Sequence, residues 1–278
     1  MSTSSTVWLI TGTSTGLGRS LALEAIARGH RVVATARDPR TLEALVALAP
    51  ERVLSLRLDV TKDAEIQAAV SAALERFGAL DVVVNNAGYS LAGAVEETGD
   101  AELRRAFEPM FFGALAVTRA VLPHLRERGK GTIVQITSAA GLATGAGFGA
   151  YSAVKHALEA MSEALAGEVA PLGIKVLIVE PGMFRTNLLG EGYRPMPVIA
   201  AYEAVMGPMR EYTASQNGAQ AGDPAKAAKA IVDAVLAGSP TLRLPLGADA
   251  VQMIRGKLAQ VGADIDRNER VALATAFD

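Results

Sequence analysis

The chain has 278 residues, 50% of them hydrophobic and 20% charged, enough apolar material for one large core and too much for a disordered polymer. Lys plus Arg (27) against Asp plus Glu (29) leaves a net charge of −2, so no overall positive field points to a nucleic-acid partner. Zero cysteines exclude disulfides, thiolate metal sites and cysteine nucleophiles, and His30, His124 and His156 are too scattered for a metal cluster.

The first residues carry no basic stretch ahead of an apolar one, so a signal peptide is not indicated. No uninterrupted apolar run approaches the ~20 residues that cross a bilayer. The expectation is a cytoplasmic protein without a membrane partner.

In chain order, six short β-rich runs read as strands buried on both faces: 7–10, 31–35, 53–58, 81–84, 131–136 and 175–179. Between them, stretches near 19–27, 64–77, 103–128 and 152–170 repeat apolar residues every three or four positions and read as crossover helices. Alternating strand and helix without a linker predicts a single-domain α/β protein with a doubly wound parallel sheet, whose ligands bind beyond the carboxyl ends of the strands. A helix near 225–236 and a seventh strand near 242–246, interrupted by Pro245, complete the pattern.

The first strand runs into Thr11-Gly-Thr-Ser-Thr-Gly-Leu-Gly18, and a helix follows. Gly12 permits the turn, while Gly16 and Gly18 let the backbone approach a pyrophosphate and the helix pack on the sheet. Alone, such a loop also fits a tight structural turn. Further along stand Asn85-Asn-Ala-Gly88, Ser138, Tyr151-Ser-Ala-Val-Lys155 and Pro181-Gly182. With these in the same order and spacing, the sequence resembles the classical short-chain dehydrogenase/reductase family over residues 7 to 188, and by element order to about 246.

That resemblance implies a Rossmann-type sheet of about seven strands and a nicotinamide dinucleotide. It assigns Gly12, Ser14, Gly16 and Leu17 to the phosphates, Asp59 and Val60 to the adenine, Asn86, Ala87 and Gly88 to the ribose, and Thr186 after Pro181-Gly182 to the carboxamide. Asp59 reads equally well as a helix-start residue. The acid that would bind a free ribose 2′-hydroxyl is expected at Ala36, and Arg37 follows. The fixed fork of an arginine suits a 2′-phosphate, which favours NADP(H) over NAD(H) even though Asp38 comes next.

Tyr151 and Lys155, four apart on a helix, face the same way. A nearby ammonium and an oxidised nicotinamide would both favour the ionised tyrosine. The resemblance makes Tyr151 the proton donor and acceptor, Lys155 its electrostatic partner and ribose anchor, and Ser138 the hydrogen-bond donor to the substrate oxygen. A Tyr-x-x-x-Lys pair by itself would mark only an exposed helix face. His156 points elsewhere, and His30 and His124 read as surface residues.

One position departs from the family. Aligning Phe107-Glu-Pro-Met-Phe-Phe-Gly113 with the usual Asn-x-Phe-Gly segment puts Met110 where the family has its relay asparagine. A thioether cannot reproduce an amide's hydrogen bonds, although Pro109 would break the helix locally and could free a backbone carbonyl for water. A working relay through backbone, a weakened enzyme, and an inactive NADP(H)-binding regulator all remain open. An epimerase or dehydratase is a further alternative.

Residues 183–222 carry Met183, Phe184, Leu188, Leu189, Tyr193, Met196, Tyr202, Met206, Met209 and Tyr212. With Tyr89, Leu142 and Phe148, they suggest a cover over an apolar or aromatic carbonyl compound or its alcohol. The resemblance also implies a homo-oligomer, dimer or tetramer, joined through helices 103–128 and 152–170. Nothing beyond residue 247 carries an interpretable motif.

Overall fold

In the computed structural model, which describes residues 5–237 and 241–277, seven parallel strands form one sheet: β1 (Val7–Ile10), β2 (Arg31–Ala36), β3 (Val53–Arg57), β4 (Val82–Asn85), β6 (Gly131–Ile136), β7 (Ile174–Pro181) and β9 (Arg243–Leu246). Their spatial order is β3-β2-β1-β4-β6-β7-β9. The order reverses between β1 and β4, and the crevice above that switch point is where a sheet of this kind takes a ligand.

The inner strands are apolar on both faces because helices cover both, whereas the edge strands β3 and β9 are only partly buried. Trp8 and Ile10 of β1 join Val32, Val84, Leu21, Ile231 and Val232 in one core, under α1 (Gly16–Ala27) and α8 (Pro224–Leu236). Val7 and Leu9 point the other way, into a core with Val33, Val83, Ile133, Ile66 and Val121. The last two belong to α3 (Asp63–Phe77) and α5 (Ala114–Arg128). Each fully buried aliphatic or aromatic side chain contributes about 1.5–3 kcal/mol, so two continuous cores hold the carboxyl ends of the strands rigidly. α6 (Gly149–Val169) packs against β7 and carries the Tyr-x-x-x-Lys pair.

Pro245 lies within β9, and its missing N–H is tolerated because β9 is the edge strand. The six strands read first from the sequence are all present, shifted by at most two residues at either end, although β3 lies at the second edge of the sheet and is only partly buried.

Other expectations need correction. The helix predicted over 103–128 is three pieces: α4 (Asp100–Phe107), a π-helical turn at Glu108–Gly113, and α5. Short α2 (Glu43–Leu48), α7 (Glu203–Gln216) and long α9 (Ala248–Leu273) were not anticipated. Nor was the small parallel pair of β5 (Ser90–Ala92) and β8 (Tyr193–Pro195), a contact across a hundred residues without a local pattern. His30 is not a surface residue: it is 2% exposed, near the Trp8 ring, and burial lowers its pKa. His124 is half-buried and accepts the Leu80 N–H through Nε2 at 3.1 Å. His156 is exposed and its Nδ1 lies 2.8 Å from the Ser152 carbonyl, away from the cleft.

Candidate active site

The loop between β1 and α1 is stitched to the loop after β4. Thr11 Oγ1 accepts the backbone N–H groups of Asn86 (2.9 Å) and Ala87 (3.0 Å), and Asn86 Nδ2 donates to the carbonyls of Thr11 (2.9 Å) and Gly12 (3.1 Å). Gly12 and Gly16 have φ of +71° and +61°, conformations side chains disfavour. A Cβ on Gly18 would collide with Asn86 Nδ2 and the Gly12 carbonyl. Gly18 therefore makes room for Asn86 to clamp the loop, a role not read from the sequence. The Asn86 side chain is spent on that clamp, so only its remaining surface faces the cleft. Thr11 and its three bonds were not singled out from sequence, although a threonine closing a buried strand ahead of Gly12 was the available signal.

One cleft of about 890 Å³ lies over the switch point. It is lined by Gly12, Ser14, Gly16 and Leu17; by Arg37, Asp59 and Val60; by Asn86, Ala87 and Gly88; and by Ser138, Tyr151, Lys155, Pro181, Gly182 and Thr186. Every residue expected in the site is thus brought to a single groove. Thr186 faces Gly16 across it: a Cβ built on Gly16 would lie 3.5 Å from Thr186 Cβ. A bare cradle walled by glycine, open at Arg37 and closed at Tyr151, fits an elongated dinucleotide.

At the β2 end, Ala36 is buried and Arg37 is exposed on the rim. Asp38 turns away and pairs with Arg40 at 2.8 Å while accepting the Arg40 backbone N–H. Asp59 closes a turn, accepting the backbone N–H and hydroxyl of Thr61 at 3.0 and 2.8 Å, and lines the cleft; it does not start a helix, since α3 begins at Asp63 with Lys62 at its N-cap.

At the other end, Ser138 follows β6 and caps the turn 139–141, its Oγ accepting the Ala140 N–H at 3.1 Å. Lys155 is 5% exposed; its ammonium donates to the Ile136 carbonyl at 2.9 Å and lies 5.8 Å from the Tyr151 ring centre. Burial draws Lys155 down to about 8, opposed by the negative charge of Glu159. Burial also pushes the Tyr151 phenol up to about 12, against the lowering influence of the Ser138 hydroxyl. The expectation that Lys155 lowers the tyrosine is not met by the protein's own groups, because desolvation of the phenolate outweighs a lysine that is itself desolvated.

Met110 sits in the π-helical turn at 1% exposure, its Cγ and Sδ packed against Gly88, where a Cβ would come within 3.2 Å. Pro109 has no N–H for the Arg105 carbonyl, so the predicted backbone irregularity is present. Of the apolar residues expected to form the pocket, Phe184, Leu188 and Tyr89 line the cleft. Met196 and Met206 are instead buried in packing, Met206 and Met209 against Gly147. Arg105, Glu108, Glu191 and Arg194 form a charged mouth that the sequence reading did not include, since β8 brings Arg194 there only through its pairing with β5. Asp249 of α9 was missed for a similar reason; it accepts the Met183 N–H at 2.7 Å and fixes the chain after Gly182.

Residues 6–195 match the family model described as short chain dehydrogenase. The chain belongs to the short-chain dehydrogenase family. It is 49% identical to a short-chain dehydrogenase from Streptomyces avermitilis, with a TM-score of 0.93 over 99% of this chain and 100% of that one. It is 38% identical over 272 residues to Oxidoreductase BOA17 of Botryotinia fuckeliana, covering 97% of this chain and 99% of the relative. The 3-ketoacyl-(acyl-carrier-protein) reductase of Brucella melitensis, solved with NADH, is 27% identical with a TM-score of 0.73, over 87% of this chain and 96% of that one. This short-chain dehydrogenase is accordingly an oxidoreductase with a nicotinamide-dinucleotide fold. Among the described residues no helix is long and apolar enough to cross a membrane, and no cluster of acidic and histidine side chains could hold a metal ion.

Proposed function

We propose that this short-chain dehydrogenase interconverts an apolar or aromatic carbonyl compound and its alcohol with NADP(H). The observation that carries the reading is the convergence of Ser138, Tyr151 and Lys155 at one closed end of a cleft whose other end opens at Arg37. A bound nicotinamide dinucleotide supplies or accepts the hydride.

The chain's own groups handle the proton. With its pKa near 12, Tyr151 is a protonated phenol at neutral pH, poised as an acid toward a carbonyl oxygen in the direction of reduction. Ser138 donates a hydrogen bond to the same oxygen and shares its developing charge. Lys155, held by the Ile136 carbonyl, places an ammonium beside the phenolate that forms, and its charge acts there with little screening. Arg37 would hold a 2′-phosphate at the rim of the cleft, with Asp38 engaged by Arg40. Phe184, Leu188 and Tyr89 offer apolar surface to the substrate, residues 183–222 cover it, and the charged mouth sits outside. Exposed Phe112 and Met161, next to and on the two long helices, support a homo-oligomeric contact there.

Met110, buried against Gly88 in place of an amide, favours a second reading: a protein that binds NADP(H) and turns over slowly or not at all. Titrating the protein with NADPH by fluorescence and then adding carbonyl compounds separates the two. Loss of bound NADPH supports the reductase; tight binding without loss across aldehydes, ketones and quinones supports the regulator.

A further inference from the structure

We propose that α9 is a self-association arm that pairs antiparallel with α9 of a second copy of this chain. Its first turns are anchored: Ala250 and Ile254 pack with Ala139 and Leu142, beside the turn that follows Ser138. Beyond them the helix leaves the body. From Leu258 to Leu273 every residue is exposed except half-buried Gly262, a length of about 24 Å at 1.5 Å per residue.

The exposed face is patterned. Val251 and Ile254, the latter buried against the body, continue at spacings of three and four into exposed Leu258, Val261 and Ile265, the seam of a two-helix pairing, with Leu258 and Ile265 each 62% exposed. Charges flanking the seam select the partner. Arg255 and Lys257 lie on its two edges in the first half, Glu269 and Asp264 on the same edges in the second. Two antiparallel copies set Arg255 against the second copy's Glu269 and Lys257 against the second copy's Asp264. A parallel pair would instead oppose Asp264 and Glu269. Among the described residues Arg255, Lys257 and Glu269 have no side-chain partner, and the Asp264–Arg267 contact is an exposed one at 3.2 Å. The helix carries four basic and four acidic side chains, a balance that does not suit adsorption to an anionic membrane.

The test uses the full chain in sedimentation and light scattering, read against the 28.8 kDa protomer. Leu258→Asp with Ile265→Asp is expected to halve the particle mass with the helical spectrum retained. Lys257→Glu or Asp264→Lys alone should weaken association about tenfold, and the double reversal should restore it. Because the chain has no cysteine, Gly262→Cys is a unique crosslinking handle near the two-fold centre. A short bismaleimide should join two copies at Gly262→Cys and leave Ala272→Cys uncrosslinked. A monomeric wild type, a mass indifferent to the seam variants, or crosslinking at 272 without 262 would each overturn the proposal.

Discussion

Replacing Lys155 with methionine separates what the lysine costs the fold from what it contributes to the site. Its pKa falls from 10.5 to about 8, chiefly through burial. At about 1.36 kcal/mol per pKa unit, holding the charged form inside therefore costs roughly 3 kcal/mol. Below pH 8 the lysine is charged in both folded and unfolded chains, and the wild type carries the whole cost. As pH rises toward 10.5 the folded chain gives up its proton first, so the cost fades. Relative to Lys155→Met, the wild type should gain about 2.5 kcal/mol of stability between pH 7 and pH 10. Methionine leaves the Ile136 carbonyl without its donor, which offsets roughly 1–3 kcal/mol of the benefit but does so equally at every pH. Urea unfolding of both proteins across that range, with the differences compared, is the assay. Turnover should be lost in the variant at every pH. A stability difference that stays flat from pH 7 to pH 10 would refute the reasoning that burial, and not a neighbouring charge, sets the state of Lys155.

Three other outcomes follow from the geometry. Arg37→Ala should raise the dissociation constant for NADPH by roughly 10- to 100-fold, the range of a charge-assisted hydrogen-bond pair, and leave NADH nearly unchanged in parallel calorimetric titrations. Asn86→Ala removes two donors that hold the glycine loop and should lower stability by about 1–2 kcal/mol in denaturant unfolding and weaken both cofactors alike, whereas equal affinity would show that the clamp is dispensable. Met110→Asn should change turnover by less than about tenfold, or ~1.4 kcal/mol of barrier, if the interrupted helix already supplies the relay; a larger rise would show that the missing amide limits the enzyme.

Much of the architecture was legible because burial on both faces leaves a readable trace. Val82-Val-Val84 and Gly131 to Ile136 could hardly be anything but inner strands of a covered sheet. The order of the glycine loop, Ser138, Tyr151 and Lys155 likewise foretold that they share one cleft, since a parallel sheet brings the ends of β1, β4, β6 and β7 to one edge. What escaped was set by distant partners. The β5–β8 pairing, the Asp249 contact to Met183 and the burial of Met196 and Met206 have no local periodicity to announce them. The π-helical turn was foreshadowed by Pro109, but its sharing of space between Met110 and Gly88 depends on three-dimensional packing. The upward pull of burial on the Tyr151 phenol was not legible in the sequence, because a helical i,i+4 pair reports proximity and says nothing of how far both groups are removed from water.

The most direct measurement follows reduced-nicotinamide absorbance while the protein is incubated with apolar ketones, aldehydes and quinones, NADPH beside NADH, and Tyr151→Phe beside the wild type. A Tyr151-dependent carbonyl reductase consumes NADPH in preference to NADH, and the phenylalanine variant loses at least ~100-fold in rate while still binding cofactor. Consumption that persists in Tyr151→Phe, or none with either cofactor despite demonstrated binding, would contradict it.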